Sequence, residues 1–246
     1  MRLSLFLVLA GLFSWDLAPP VPTQRVAVVE YFTSEGCSGC PRADHLMGRL
    51  LEEGMGDNVF LLSFHVDHFD TPAWKDPYSN PLFSARQRSY ALTLGAALFT
   101  PQMVINGTDL RIGSREHEVR GAIAAALERP VPYQPEVHVQ RTDAGVAVVA
   151  YALPEGIRDA VVNIALVESS RPRQSPPYRL DGRALAHENV VRRFQTVWGQ
   201  AGQNQFTLTL PDDLDVSAAS VVVYLQHVST MEVLGAARAV LETSQY

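Results

Sequence analysis

Val26-Ala27-Val28-Val29-Glu30-Tyr31-Phe32 leads through Thr33-Ser34-Glu35-Gly36 into Cys37-Ser38-Gly39-Cys40-Pro41. The first seven residues are almost all apolar, the pattern of a strand covered on both faces. After Pro41 the pattern changes, and Ala43, Leu46, Met47, Leu50 and Leu51 recur at helical spacing until Gly54 closes the stretch. Pro41 falls in the first helical turn, where a missing N–H costs least. The only two cysteines of the 246 residues therefore sit on a strand-to-helix turn. A thiol at that place faces unpaired backbone N–H groups and the positive end of the helix dipole, which favour the thiolate. The thiolate is the nucleophile of disulfide exchange, and a second thiol one turn along can resolve the mixed disulfide.

Moving outward, residues 59–66 form a second apolar run and predict a second buried strand, completing a strand-helix-strand unit with the cysteines at one end. Residues 67–74 read as a loop. Asn80-Pro81 then predicts a helix N-terminus, with Phe83, Tyr90 and Leu94 on one face until Gly95. Thr100-Pro101 precedes two short apolar runs separated by Asn106-Gly107, a strong hairpin signal. Ser114 is placed to cap a last helix with Val119, Ile123, Ala126 and Leu127 as its apolar stripe and Pro130 as its stop.

Strand, helix, strand, helical insert, strand, strand, helix, with CxxC after the first strand and Thr-Pro before the hairpin, resembles the thioredoxin fold. More narrowly, residues 30–41, together with Phe64-His65-Val66-Asp67, Ala85-Arg86-Gln87-Arg88 and Thr100-Pro101-Gln102-Met103-Val104, are similar to a family of secreted bacterial thioredoxin-like proteins of undefined function. The resemblance spans residues 26–127 and implies that Pro101 is a cis-proline lying against the cysteine pair. Three residues depart from thioredoxins. Gly36 stands where they carry a tryptophan, and Ser38-Gly39 where they carry Gly-Pro.

Residues 131–135 are proline-rich and read as a linker. Beyond it, residues 136–140, 146–153, 161–167, 190–197, 205–210, 220–228 and 233–241 have strand character, and only residues 184–189 hint at a short helix. The expected fold is thus an α/β thioredoxin-like domain over residues 23–130 followed by a mostly-β, sandwich-like domain over residues 131–246. Residues 1–22 are read as a signal peptide and connector: Met1-Arg2 starts an apolar stretch too short to span a bilayer comfortably. The folded part is then periplasmic or secreted, with no stable membrane insertion unless that segment stays uncleaved. With 47% hydrophobic residues there is material for a core in each half. Twenty Lys and Arg against 26 Asp and Glu, without a basic run, argue against a nucleic-acid partner.

The chemistry expected is thiol-disulfide exchange with a thiol or disulfide protein partner, Cys37 acting as nucleophile and Cys40 as resolving thiol, with Pro101 beside them and no cofactor. Ser38, Gly39 and Thr100 are the expected substrate-contacting positions. Glu30, an acid inside the apolar strand, is either a proton acceptor for Cys40 or a residue paired to an arginine or pointing outward. Glu35 reads as a solvated turn residue. His65, Asp67, His68 and Asp70 carry metal-ligand chemistry, but strand alternation sets His68 apart, and a loop-fixing role is the expectation, with no metal site. Trp74, Tyr78 and Phe83 read as core or lid packing, and His187 stands alone without a role. The residue pattern also admits a soft-metal (copper) carrier using the two thiolates, and a non-catalytic binding module.

Overall fold

Gln24–Arg25 form a short strand, β1, and the apolar run behind them is β2 (Ala27–Thr33). The computed structural model describes residues 24–54, 56–142, 145–169, 171–173 and 185–241. The export segment and connector expected over residues 1–22 lie outside them. Among the described residues no helix is long and apolar enough to cross a membrane.

After β2 come α1 (Pro41–Glu52), β3 (Val59–His65), α2 (Pro81–Leu94), β4 (Gln102–Ile105), β5 (Asp109–Ile112) and α3 (Glu116–Glu128). The start of α2 is fixed by Asn80, whose side chain accepts from the Leu82 N–H, and its end by Gly95 at φ 62°. Helix α3 begins differently from expectation. Arg115, not Ser114, is its N-cap, without a side-chain cap bond, and Glu116 and Glu118 in the first turn supply the negative charge that suits a helix N-terminus.

The second half contains β6 (Pro130–Val131), β7 (Glu136–Thr142), β8 (Val146–Leu153), β9 (Ala160–Glu168), β10 (Arg171–Arg173), β11 (Leu185–His187), β12 (Val190–Trp198), β13 (Gly202–Thr209), β14 (Ala219–His227) and β15 (Val233–Val240). Where a short helix was expected over residues 184–189, β11 pairs antiparallel with β10 and Asn189 turns the chain at φ 50°; Ala184 itself lies outside the described residues. The expected linker begins with β6, which pairs with β1.

One eight-stranded sheet runs through both halves in the order β15-β14-β9-β12-β3-β2-β4-β5. Strands β2 and β3 are parallel, and β4 and β5 add antiparallel on one side. The join between the halves is narrow: Val190 of β12 pairs with Ser63 of β3, the Ser63 N–H donates to the Asn189 carbonyl at 2.8 Å, and its hydroxyl donates to the Glu188 carbonyl at 2.6 Å. The sandwich-like layer is smaller than the pattern of the second half suggests. A three-stranded sheet, β13-β8-β7, packs Ala147, Val149, Tyr151 and Leu153 against Val162, Ile164 and Leu166 of β9 and Val221, Val223 and Leu225 of β14. The rest of the second half extends the sheet begun by the first.

Strand alternation then divides the interior. Ala27, Val29 and Tyr31 face α1 and α3, meeting Leu46, Met47, Leu50, Val119 and Ile123. Val28 and Phe32 face the other way, toward Phe83 and Tyr90 of α2 and toward Val222, Tyr224 and Val233 of the second half. That face carries a buried polar clasp. Arg86 meets Glu30 through Nε at 2.5 Å and Nη2 at 2.7 Å, and Nη2 also donates to the Tyr90 hydroxyl, the Tyr224 hydroxyl and Gln226 Oε1. Tyr90 and Tyr224 donate in turn to Glu30 Oε1. Burial works against the Arg86 charge, but Glu30 and the two phenols raise it well above its ordinary value, so it is a fixed cation. At the other junction, the turn glycine Gly107 has φ 76°, and a Cβ there would lie 1.7 Å from the Met231 carbonyl oxygen.

Candidate thiol site

Cys37 and Cys40 form a disulfide, with Cα atoms 5.5 Å apart. Cys40 is the N-cap of α1 and its carbonyl accepts from the N–H groups of Ala43 and Asp44, while Pro41 opens the helix. Cys40 is fully buried and Cys37 is 3% exposed; Ser38 and Gly39 between them face solvent. The Thr100–Pro101 peptide is cis, and a Cβ on Gly39 would lie 3.6 Å from Pro101 Cδ and 4.0 Å from the Thr100 carbonyl oxygen. Cys37, Cys40, Ser38, Gly39, Thr100 and Pro101 are thus neighbours at one end of β2. The Pro101 carbonyl accepts from the Gly113 N–H, tying the residue to the end of the β4–β5 hairpin.

Glu30 does not join them. It lies on the α2 face of β2 with Val28 and Phe32, whereas α1 and its cysteine cover the opposite face. Its carboxylate is taken up by Arg86, Tyr90 and Tyr224, which is the arginine-paired alternative and removes it as an acceptor for the Cys40 proton. On the α1 face the acid is instead Asp44, one turn beyond Cys40. It accepts from the Tyr31 hydroxyl at 2.7 Å, and that hydroxyl also lies 3.4 Å from the Cys40 carbonyl. Burial, with the Asp44 charge beside it, pushes the Tyr31 phenol well above its usual range.

Glu35 is not solvated. It is buried, and its carboxylate meets His187 Nε2 at 3.0 Å. His187 has come 152 residues through the chain to this place, where its ring packs edge-on against His65 at 4.8 Å and against Tyr78 at 5.5 Å. His65 Nδ1 lies 2.9 Å from Asp76 Oδ2, and the same oxygen accepts from the Glu35 N–H at 2.8 Å and the Ser34 hydroxyl at 3.1 Å. The contacts close a ring: Glu35 side chain to His187, His187 to His65, His65 to Asp76, Asp76 back to the Glu35 backbone. Burial alone would raise the Asp76 carboxyl, but the His65 imidazole beside it, its hydrogen bond, and the N–H groups of Glu35 and Tyr78 hold it down to about 2. Asp76 is therefore an acceptor, and His65 Nδ1 is the donor of their contact. His65 Nε2 is buried without a hydrogen-bond partner among the described residues. The ring of contacts holds the turn that enters the cysteine pair, because the Cys37 N–H donates to the Ser34 carbonyl.

The aromatic residues of the insert flank the same turn. A Cβ on Gly36 would lie 2.8 Å from Phe69 Cβ and 3.2 Å from Trp74 Cζ3, so the absence of a side chain at residue 36 makes room for the loop. Phe83 is core. Asp67 is paired with the Ser84 hydroxyl, and Asp70 accepts from the Asp76 N–H and the Ser79 hydroxyl. Both acids fix the loop. His68 lies against Phe69 with the rings tilted by 42°, and partial burial lowers its pKa. Among the described residues no three His, Cys, Asp or Glu side chains converge as a metal site.

Asp76, Ser34, Glu35 and His187 are the members that sequence reasoning missed. Acids in a polar loop read as solvated, and no local signal links residue 187 to residue 35. A search of the curated proteins finds no match. A crystal structure of a structural-genomics protein from Agrobacterium tumefaciens is matched at 24% identity, covering 91% of this chain and 98% of that one, with a TM-score of 0.63, a likeness of fold. A domain of the outer membrane lipoprotein Omp28 from Porphyromonas gingivalis is matched at 14% identity over 46% of this chain and 90% of that one, with a TM-score of 0.31. Residues 28–226 match the model of a family described as protein of unknown function, DUF1223, and the chain belongs to that family.

Proposed function

We propose that this chain is an exported, thioredoxin-like thiol-disulfide oxidoreductase acting on a thiol or disulfide protein partner through Cys37 and Cys40. The observation that carries the reading is the cysteine pair at the N-terminus of α1, with Pro101 packed on the dipeptide between them. The thioredoxin-like assignment of the first half draws support from the parallel β2–β3 pair, the antiparallel β4–β5 addition, and α1 and α3 on one face with α2 on the other. Export rests on the apolar leader pattern of the sequence.

The exchange runs as follows in the reductive direction. A thiolate of a dithiol partner attacks Cys37 Sγ, Cys37 being the more exposed of the two residues. A bond forms between them as the Cys37–Cys40 bond breaks, and the electron pair leaves on Cys40, which takes a proton. The partner's second thiolate then attacks the partner sulfur of the mixed disulfide and expels Cys37. The partner is oxidised by two electrons to a disulfide and the chain is reduced by two. The helix N-terminus favours the departing Cys37 thiolate.

The test is disulfide exchange with a model protein disulfide and a dithiol reductant. Wild-type protein should accelerate the exchange, Cys37→Ser should abolish the acceleration, and Cys40→Ser should accumulate a mixed disulfide at Cys37. Full activity in Cys37→Ser would overturn the assignment.

A further inference from the structure

We propose that the outward face of the three-stranded sheet β13-β8-β7 is a binding site for a neutral, polyhydroxylated ligand, a saccharide, held in a trough whose floor is Ala150 and Ala152. The inference stands apart from the exchange reading above and gives the second half of the chain a task of its own.

The trough follows from the strand register. Ala152 of the central strand is paired with Glu136 of β7 and with Gln203 of β13, and Ala150 with His138 and Gln205. Directly opposed residues of a sheet share a face, so each row reads long polar side chain, methyl group, long amide. The row between these two points the other way, and its central residue, Tyr151, packs into the core against β9 and β14. Glu136, His138, Gln203 and Gln205 are exposed, as this alternation requires. Alanine is a poor strand former, but two of them in the middle strand leave space between the walls, a hollow of about 580 Å³. That is within the size range of small-ligand sites.

The walls set the class of ligand. Among the described residues that line the trough there is no Lys or Arg, while Glu136 is acidic, so a phosphate or carboxylate ligand would meet a like charge with no cation to balance it. One carboxylate and one imidazole are too few donors for a metal ion. No Trp, Phe or outward-turned Tyr offers a platform for a flat aromatic ligand. An extended polypeptide would add to a strand edge through its backbone, not lie across a sheet face. The groups that are present match hydroxyls. Gln203 and Gln205 each offer an N–H donor and a carbonyl acceptor, Glu136 accepts, and the His138 ring does either. A sugar hydroxyl both donates and accepts, so it can bond to any of them, and the C–H face of a pyranose fits over the Ala150 and Ala152 methyl groups.

The experiment titrates the isotope-labelled full chain with neutral trisaccharides of glucose, galactose, mannose and N-acetylglucosamine, and with a galacturonate trisaccharide as the anionic comparison. The readout is the side-chain amide NMR signals of Gln203 and Gln205. At least one neutral trisaccharide should shift both signals in a saturable way, with a Kd of about 1 mM or tighter, and the galacturonate should bind more weakly. Gln205→Ala should weaken that binding about tenfold, and Ala150→Tyr, which fills the floor, should abolish it. Both positions face outward, and circular dichroism checks the fold; if Ala150→Tyr does not fold, Gln205→Ala decides. No saturable shift with any neutral trisaccharide, equal or tighter binding of the galacturonate, or binding unchanged in either variant would overturn the inference. Neither cysteine lines the trough, so loss of saccharide binding and loss of disulfide exchange are separate outcomes, and each reading fails on its own.

Discussion

Arg86→Met should cost the protein about 3–5 kcal/mol of stability. The magnitude follows from what stays behind. The Glu30 side chain is 1% exposed and Arg86 9%, so neither charge is solvated, and removing the guanidinium leaves a carboxylate whose remaining partners, Tyr90 and Tyr224, carry no charge. For a chain of this size about 3–5 kcal/mol corresponds to a fall in Tm of roughly 6–20 °C. The unfolding should also remain a single transition, because Glu30 and Arg86 come from the first half and Tyr224 and Gln226 from the second. Urea denaturation followed by far-UV circular dichroism gives the free energy and the slope together. Glu30→Gln in the Arg86→Met background should recover a large part of the loss, since an amide can accept from the two phenols without needing a countercharge. A loss below about 1 kcal/mol for Arg86→Met, the size of an exposed ion pair, would refute the reading of Glu30 and Arg86 as a buried clasp.

Two further predictions concern the turn into the cysteines. The folded state holds the Asp76 carboxyl at about 2 against an ordinary value of 3.8. It therefore binds a proton less readily folded than unfolded, and its stabilisation of about 2 kcal/mol is complete above about pH 4 and lost as the pH falls toward about 2. Asp76→Asn should be less stable than wild type by that amount at pH 7, the gap closing over this acid range in parallel urea titrations; a gap independent of pH would contradict the assigned partners. Gly36→Ala places a Cβ 2.8 Å from that of Phe69 and should destabilise by about 1–3 kcal/mol through overpacking, with an altered Trp74 environment in fluorescence. An unchanged urea midpoint would mean that the loop yields freely.

The parts of this fold that were legible in the sequence are those set by local chemistry. Asn80-Pro81 and Gly95 bound α2 because caps act within a turn, and Asn106-Gly107 marks the β4–β5 hairpin because two residues decide it. The cysteines could be placed from the strand and helix patterns that flank them, whereas the place of Pro101 came from the resemblance to thioredoxin-like proteins. What escaped reading depends on pairing at a distance. Ser63 gives no sign that it receives β12 more than a hundred residues later, so the second half reads as a separate sandwich although it extends the first half's sheet. Glu30 stays undecided between its alternatives, and Glu35 reads as solvated, for a related reason. Alternation tells which residues share a face but not which face is core, and the partners that make burial of each acid tolerable, Arg86 and His187, lie 56 and 152 residues away.

The account turns on whether Cys37 and Cys40 are a working redox couple. The most direct measurement is their reduction potential, obtained by mass-tagging free thiols in full-length, metal-free protein equilibrated across a series of glutathione and dithiol buffers. A single two-electron transition between about −120 and −270 mV, the span of known exchange proteins, is the result expected. A pair still oxidised below about −300 mV, or one that does not close into a disulfide under oxidising buffers, would contradict it and leave the cysteines a structural feature of the turn.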